Sequence, residues 1–257
     1  MSYRSPRPRA AESVDLRLFC FAHAGGSVAS YAGLGSLLPP GIEVRGVDLP
    51  GHGTRALESF PSDFGDLISE LVDGLSPLTD VPYVLMGHSL GALIAYSIAQ
   101  RIEGDRKRNR LPSMVVIAGV REPSRIPALP DPEDMNALMG FARLLGGIPE
   151  AVWSDSSALS LAARTIRADI RLMRTYRVPD GPPLECNGLL FGGFNDPLVP
   201  VCDLEAWQDR FEAAVSLHLL GQGHFFIHTE QAAFARILAK VLRDVVAAPR
   251  QADEVAE

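Results

Sequence analysis

The pentapeptide Gly87–Gly91, with the sequence G-H-S-L-G, holds the side chain best suited to covalent chemistry, the hydroxyl of Ser89. The apolar run Tyr83–Met86 predicts a buried strand before it, and Ala92–Ala99 predicts a helix after it. This strand–turn–helix setting is typical of a nucleophilic serine, because the glycines leave room for close strand-to-helix packing. The helix N-terminus also favours negative charge near the serine. The alternative is a glycine-rich turn with an incidental serine.

A serine hydroxyl is a weak nucleophile, so it needs a histidine base that a carboxylate orients. In this topology the acid and then the histidine follow the serine along the chain. Asp196 comes just after the apolar run Gly188–Gly192, and His224 just after Val215–Leu220. Since the carboxyl ends of parallel strands lie at one edge of a sheet, we expect Ser89, Asp196 and His224 to converge there as a catalytic triad.

Other interpretations of these residues are open. Asp196 could form a turn ahead of a proline, and His224 could be a turn histidine flanked by glycines. Asp203 and Glu185 are weaker candidates for the acid. Asp203 is better placed to cap the N-terminus of a helix that begins near Leu204.

Acyl transfer from a serine also requires hydrogen-bond donors for the oxyanion. The N–H of Leu90, directly after the serine, is one candidate. The loop His23–Gly26 follows the first long strand and provides the other, for which we choose Ala24, with Gly25 as the neighbouring possibility. The alternative for this loop is a simple Gly-Gly turn.

The other histidines are not expected to bind a metal, because no pair has the spacing typical of metal ligands. His218 is expected within a strand, His228 at the surface or as a helix cap, and His88 within the structure that supports the turn. His23 and His52 are the remaining two. The sequence therefore predicts neither a metal site nor a cofactor.

Six apolar runs that alternate with helical patterns must position these residues. Uninterrupted apolar strands between helices, such as Ser89–Arg101 and Glu230–Val246, predict an α/β fold with a mostly parallel sheet covered by helices on both faces. The six runs are Leu16–Ala22, Ile42–Asp48, Pro82–Gly87, Ser113–Gly119, Gly188–Gly192 and Val215–Leu220.

The alternation stops between Arg121 and Pro183, where eight of the chain's 20 prolines lie. Helical patterns remain at Glu133–Leu145 and Ser157–Tyr176. Because the strand pattern then resumes, we predict a helical insertion at about 121–183 within a single domain at 15–250. Residues 1–14 are polar and lack periodicity, which predicts a flexible leader.

Composition excludes several classes of protein. The 257 residues are 47% hydrophobic and 21% charged with a net charge of -7, which argues against disorder and against binding nucleic acid. No apolar run reaches the ~18 residues that span a bilayer, and the N-terminal residues Met1–Ala11 are not expected to act as a secretory signal, because no apolar stretch follows their arginines. Three cysteines are too few for a disulfide framework. We expect a cytoplasmic protein, monomeric and not bound to a membrane.

Five segments together resemble the type II thioesterases of polyketide and nonribosomal peptide pathways, which have the α/β-hydrolase fold. The resemblance extends from about Leu16 to Val246. It departs from the family pattern at Ala22, where proline is usual, and at His52, where arginine is common. The segments are Phe19–Ser27 (compare F-P-H-A-G-G-S), Asp48–Arg55 (L-P-G-R-x-x-R), Gly87–Gly91 (G-H-S-x-G), Asp196–Val199 (D-P-x-V) and Gly223–Phe226 (G-H-F-F).

The resemblance implies hydrolysis of acyl thioesters on the phosphopantetheine arm of an acyl or peptidyl carrier protein, which edits stalled or misloaded synthases. It also implies that the insertion is a lid. Apolar lid residues would then line an acyl chamber, or alternatively form the lid's own core; these are Met135, Leu138, Met139, Phe141 and Leu145. A medium-chain fatty acyl-carrier-protein thioesterase, a carboxylesterase or lipase of the same fold, and a non-catalytic binding module are the alternatives.

The partner implied by the resemblance is expected to be acidic around its phosphopantetheine attachment site. Because this chain is itself acidic, docking would need a local basic patch. One candidate is the basic run between Arg101 and Arg110, although a solvated loop explains it more simply. The other is a set of lid arginines at helical spacing, namely Arg164, Arg167, Arg171 and Arg174.

Overall fold

The computed structural model describes residues 13–105 and 110–248. Most of the predicted leader, residues 1–12, lies outside this part of the chain. So do residues 106–109 of the basic run and the last two residues of the predicted domain.

A six-stranded parallel sheet forms the centre of the described chain. This confirms the predicted α/β fold with a parallel sheet. Each predicted strand agrees with an observed one to within one or two residues. The four inner strands are largely apolar because both of their faces are covered, whereas the two edge strands are only partly buried. The strands are β1 (Leu16–Phe21), β2 (Ile42–Val47), β3 (Tyr83–His88), β4 (Met114–Ala118), β5 (Asn187–Phe194) and β6 (Ser216–Gln222).

Helices cover both faces of the sheet. On one face α2 (Phe64–Leu75) and α3 (Leu90–Gly104) pack against the larger apolar core, which contains Trp207. On the other face α1 (Leu34–Leu37) and α9 (Gln231–Ala247) pack against a second core. Two short helices complete this part of the chain, α7 (Val201–Glu205) and α8 (Phe226–Thr229).

The strand order reverses direction between β1 and β3. The chain goes outward from β1 to β2, returns to β3 on the other side of β1, and then proceeds to β6. Loops after strands on either side of such a reversal leave the sheet in opposite directions and open a crevice at its carboxyl edge. The fold therefore predicts a binding site beside the loops that follow β1 and β3.

Three helices lie between β4 and β5, within the predicted insertion: α4 (Met135–Leu145), α5 (Glu150–Trp153) and α6 (Ser156–Arg174). We call these three helices the lid. Asp134 and Asp155 cap the N-termini of α4 and α6 by accepting hydrogen bonds from backbone amides. The lid has a small apolar core of its own, formed by Leu138, Ala142, Ile166 and Ile170.

The chain's two tryptophans lie in different parts of the fold. Trp207 is fully buried, and its indole N–H donates to Val120 O at 3.0 Å. Trp153 belongs to the lid, where the guanidinium of Arg143 lies 4.8 Å from the centre of its ring. Its indole N–H donates to the carbonyl oxygen of Ile148. Within residues 13–105 and 110–248, no helix has the length and apolar composition needed to cross a bilayer.

Candidate active site

Ser89 occupies a sharp turn between β3 and α3. Its backbone has φ 56° and ψ −119°, a conformation that a residue with a side chain adopts only at a cost in free energy. The amide of Ser89 donates to Ala118 O at 2.8 Å, which ties the turn to the neighbouring strand β4. A strained serine held by the surrounding sheet is typical of a nucleophile in a strand–turn–helix motif.

The two glycines of the pentapeptide are required by close backbone contacts. A Cβ at Gly87 would lie 1.9 Å from the carbonyl oxygen of Gly91. A Cβ at Gly91 would lie 2.0 Å from the carbonyl oxygen of Phe21 in β1. Since both clashes involve backbone atoms, no side-chain rearrangement relieves them.

Asp196 and His224 form a buried pair at the carboxyl edge of the sheet. Nδ1 of His224 lies 2.8 Å from Oδ2 of Asp196, and the imidazole is 2% exposed. The other carboxylate oxygen of Asp196 accepts the N–H of Leu198 at 2.9 Å. Because an ionised carboxylate only accepts hydrogen bonds, Nδ1 carries the proton. Nε2 then holds a lone pair and is buried without a partner among the described residues.

Ser89 and His224 both border one cavity of about 90 Å³ beneath the lid. Ala24 borders it from the loop after β1, and Leu198 and Val199 from the loop after β5. The walls are predominantly apolar, and the lid contributes Phe141, Leu145, Ile170 and Met173. This arrangement suits a hydrocarbon chain whose reacting end lies next to a serine and a histidine.

The five predicted chamber residues have different positions. Phe141 and Leu145 border the cavity, whereas Leu138 is fully buried in the lid's own core. Met135 is 38% exposed, and neither it nor Met139 is among the lining residues. Leu138 therefore takes the alternative place in the lid's own core, whereas a chamber role for Met135 and Met139 stays a prediction.

The candidate oxyanion donors are distinguished by their partners. Gly25 N–H donates to Oδ2 of Asp169 in α6 at 2.6 Å, so this amide is already occupied. Ala24 borders the cavity, and its N–H has no acceptor among the described residues. Leu90 is the first residue of α3, where a backbone amide has no intrahelical acceptor. The structure therefore favours Ala24 over Gly25 and leaves Leu90 N–H available.

The two weaker candidates for the acid lie elsewhere. Glu185 precedes β5 and so lies at the opposite edge of the sheet from Asp196. Asp203 lies inside α7, and its carboxylate pairs with Arg121 at 2.9 Å and with Arg125 at 3.1 Å. The predicted capping role of Asp203 was wrong, because α7 begins after Pro200, whose fixed φ starts the helix three residues earlier.

A buried contact between His52 and Asp169 was not predicted from the sequence. Nε2 of His52 lies 3.0 Å from Oδ2 of Asp169, the oxygen that also accepts Gly25 N–H. Nδ1 of His52 lies 3.0 Å from Pro50 O. Burial alone would lower the pKa of His52, but the hydrogen bond and negative charge of Asp169 outweigh it and raise that pKa. The imidazolium form of His52 has a proton on each ring nitrogen, so it can donate to Pro50 O and to Asp169 Oδ2 at the same time.

A parallel sheet with helices on both faces, and a strained serine at the turn after its central strand, defines the α/β-hydrolase fold. Within that fold the chain belongs to the thioesterase family, whose thioesterase-domain model matches residues 16–242. It is therefore a hydrolase that acts on thioesters.

Three known proteins illustrate the relationship. The gramicidin S biosynthesis protein GrsT of Aneurinibacillus migulanus is 31% identical over 242 residues, 91% of this chain and 92% of its own. The solved structure of RedJ, a thioesterase from the prodiginine pathway of Streptomyces coelicolor, has a TM-score of 0.83 at 29% identity and covers 92% of this chain and 96% of its own. The type II thioesterase BorB, from the borrelidin biosynthetic cluster, has a TM-score of 0.82 at 30% identity, with 93% and 97% coverage.

Proposed function

We propose that this protein is a serine thioesterase of the type II class. It would hydrolyse acyl groups from the phosphopantetheine arm of acyl or peptidyl carrier proteins and so clear stalled or misloaded synthases. The observation that carries the chemical part is the Asp196–His224 hydrogen bond, because it places a proton on Nδ1 and leaves the Nε2 lone pair of His224 able to take a proton beside the cavity that Ser89 borders. The kinship with thioesterases of peptide and polyketide antibiotic pathways supports the substrate class.

In the acylation step, His224 Nε2 accepts the hydroxyl proton as Ser89 Oγ attacks the thioester carbonyl. Asp196 holds the imidazole in the required tautomer and stabilises the imidazolium that forms. The N–H groups of Leu90 and Ala24 stabilise the oxyanion. The C–S bond then breaks, and the pantetheine sulfur leaves as a thiolate that takes a proton from the imidazolium.

In the deacylation step, His224 removes a proton from water, which attacks the ester carbonyl of the acyl-serine. The same two amides stabilise the second oxyanion, and the proton returns to Ser89 as the C–O bond breaks. The acylation and deacylation steps need no redox reaction and no cofactor, and water is their only co-reactant.

The lid determines which acyl groups reach Ser89. A cavity of about 90 Å³ is small beside the ~300–1,000 Å³ of typical ligand pockets, so a long acyl chain requires the lid to move. The lining from α4 and α6 is apolar and offers little to distinguish polyketide, peptidyl and medium-chain fatty acyl groups. A chain-length series of acyl-carrier-protein substrates separates the editing enzyme from a medium-chain fatty acyl thioesterase.

The test compares an acyl-carrier-protein thioester with a p-nitrophenyl ester of the same acyl group, using wild type and Ser89→Ala. We expect a higher kcat/KM for the carrier-protein substrate, and loss of both activities and of fluorophosphonate labelling in the variant. A preference for the simple ester would identify a carboxylesterase. A wild-type chain that neither turns over thioesters nor reacts with the probe would be a non-catalytic binding module.

A further inference from the structure

Three histidines that the proposed mechanism does not use meet beside the triad. His23 follows β1, His88 ends β3, and His228 lies in α8. One ring nitrogen of each lies within 4.8 Å of the other two. We propose that His23, His88 and His228 form a binding site for a dication such as Zn²⁺, and that an ion bound there inhibits hydrolysis.

The tautomer of His88 leaves one nitrogen free to bind a metal. Nε2 of His88 lies 2.9 Å from the carbonyl oxygen of His224. A carbonyl only accepts hydrogen bonds, so Nε2 carries the proton and Nδ1 holds a lone pair. A metal-ligating histidine commonly donates its other N–H to a backbone carbonyl in this way, which fixes the ring orientation.

Buried nitrogens without partners give a second, independent argument. Nδ1 of His88 and Nδ1 of His23 are both buried, and neither has a hydrogen-bond partner in residues 13–105 and 110–248. Buried polar atoms are normally paired, so each of these nitrogens is expected to have a partner that residues 13–105 and 110–248 do not provide, and a metal ion is one group that would pair with both.

The surroundings suit a small transition-metal ion. Zn²⁺ is commonly held by three imidazoles and a water in a tetrahedral arrangement with Zn–N bonds of about 2.0–2.1 Å, so the three rings must rotate on binding to bring nitrogens now up to 4.8 Å apart within reach of one ion. The ring of Phe225 contacts all three histidine rings, with centroid distances of 4.7 Å to His23, 5.3 Å to His88 and 5.9 Å to His228, and forms an apolar wall. His228 is partly exposed and so provides a route from solvent.

An ion at this site would act directly on the proposed base. The rings of His88 and His224 are 5.0 Å apart between centroids. A nearby dication would oppose the positive charge that His224 must acquire when it takes the serine proton. The inhibition rests on the proposed function, whereas the binding site does not.

The test measures Zn²⁺ binding to the chelator-treated full chain by calorimetry at pH 7, with Co²⁺ absorption as a check for tetrahedral geometry. The variants are His228→Gln and, as a matched control, His218→Gln, whose ring packs against Phe191 in β5. We expect one Zn²⁺ per chain in wild type and control. Removing a group that only hydrogen-bonds to a metal ligand weakens metal affinity by roughly 10–100-fold. Removing the ligand His228 itself should therefore weaken Zn²⁺ binding at least that much.

Turnover assays complete the test. Zn²⁺ should inhibit wild type and His218→Gln, while His228→Gln should remain active and resist inhibition. Absence of stoichiometric binding in wild type would overturn the proposal, as would unchanged binding in His228→Gln. Binding without inhibition would refute only the part that depends on catalysis by His224.

Discussion

Nε2 of His52 and Oδ2 of Asp169 lie 3.0 Å apart, in a contact between residues 117 positions apart in the sequence. His52 belongs to the loop after β2 and Asp169 to the lid helix α6, and both side chains are almost fully buried. The same carboxylate oxygen accepts Gly25 N–H, next to the proposed oxyanion donor Ala24. Asp169 therefore connects the lid to the backbone that must align with the substrate carbonyl.

The proposed triad gives the first prediction. Ser89→Ala and His224→Ala should each reduce turnover by roughly 10⁶-fold, because the three residues act as a unit. Asp196→Asn should cost on the order of 10⁴-fold, because the imidazole tautomer is no longer held. Steady-state hydrolysis of an acyl-carrier-protein thioester measures all three. Asp203→Asn is the matched control, since that buried acid binds Arg121 and Arg125 rather than His224. If Asp203→Asn were inactive and Asp196→Asn active, Asp203 and not Asp196 would be the acid of the triad.

The second prediction concerns Asp169 as a positioning residue. Asp169→Asn weakens the hold on Gly25, and a misaligned oxyanion donor should lower kcat by up to roughly 10²-fold while KM changes little. His52→Arg keeps a cation opposite the carboxylate and should preserve kcat. Steady-state kinetics on the two variants provide the measurement. If Asp169→Asn changed thermal stability but left kcat intact, the contact would serve the fold alone.

The third prediction is a pH dependence of stability. The pKa of His52 is raised in the folded protein, so its pairing with Asp169 contributes fully below the ordinary histidine value of about 6.5 and is lost as pH rises through the raised pKa. The free energy of unfolding of wild type should therefore fall relative to His52→Arg above about pH 6.5. Denaturant unfolding of both proteins between pH 6 and 9 tests this. A difference that stays constant across the series would show that His52 is not the titrating group.

Close packing at the serine turn gives the fourth prediction. Gly87→Ala places a Cβ 1.9 Å from a backbone oxygen, so the variant should be strongly destabilised or fail to accumulate in soluble form. Gly104→Ala, at the end of α3, meets no atom within 4 Å. This control should keep its stability or gain less than the ~0.5–1 kcal/mol of a helix interior, because Gly104 is the last residue of α3. Urea unfolding compares the two variants, and equal stabilities would contradict the steric explanation.

The fifth prediction concerns the lid arginines as a docking surface for the carrier protein. Arg167 and Arg171 both pair with Glu133, which neutralises part of the patch. Glu133→Gln should free both cations and lower KM for an acyl-carrier-protein substrate. Reversing both charges, with Arg167→Glu and Arg171→Glu, should raise KM. A small acyl-pantetheine thioester is the control substrate. If its KM changes as much as that of the carrier-protein substrate, the ion pairs serve the lid's structure. If KM is unchanged for both substrates, the carrier protein docks elsewhere.

The sequence predicted the parts of the molecule that depend on local patterns. The inner strands could be located because burial on both faces makes them largely apolar. Topology then indicated that the loops holding Asp196 and His224 share one edge with Ser89. The contact of His52 with Asp169 and the cluster of His23, His88 and His228 could not be predicted, because each depends on how distant segments pack. Leu138 shows the same limit, since an apolar residue on a lid helix can face either the cavity or its neighbouring helix.

The separate positions of the two tryptophans give the protein an intrinsic optical probe of the lid. Trp207 is sealed in the core, and its emission should stay constant while the lid moves. Trp153 is partly exposed on the lid beside Arg143, so lid movement that changes the surroundings of its ring should change its emission. A Trp207→Phe chain would emit from the lid alone. Stopped-flow mixing with an acyl substrate would then time lid opening against hydrolysis without any attached dye.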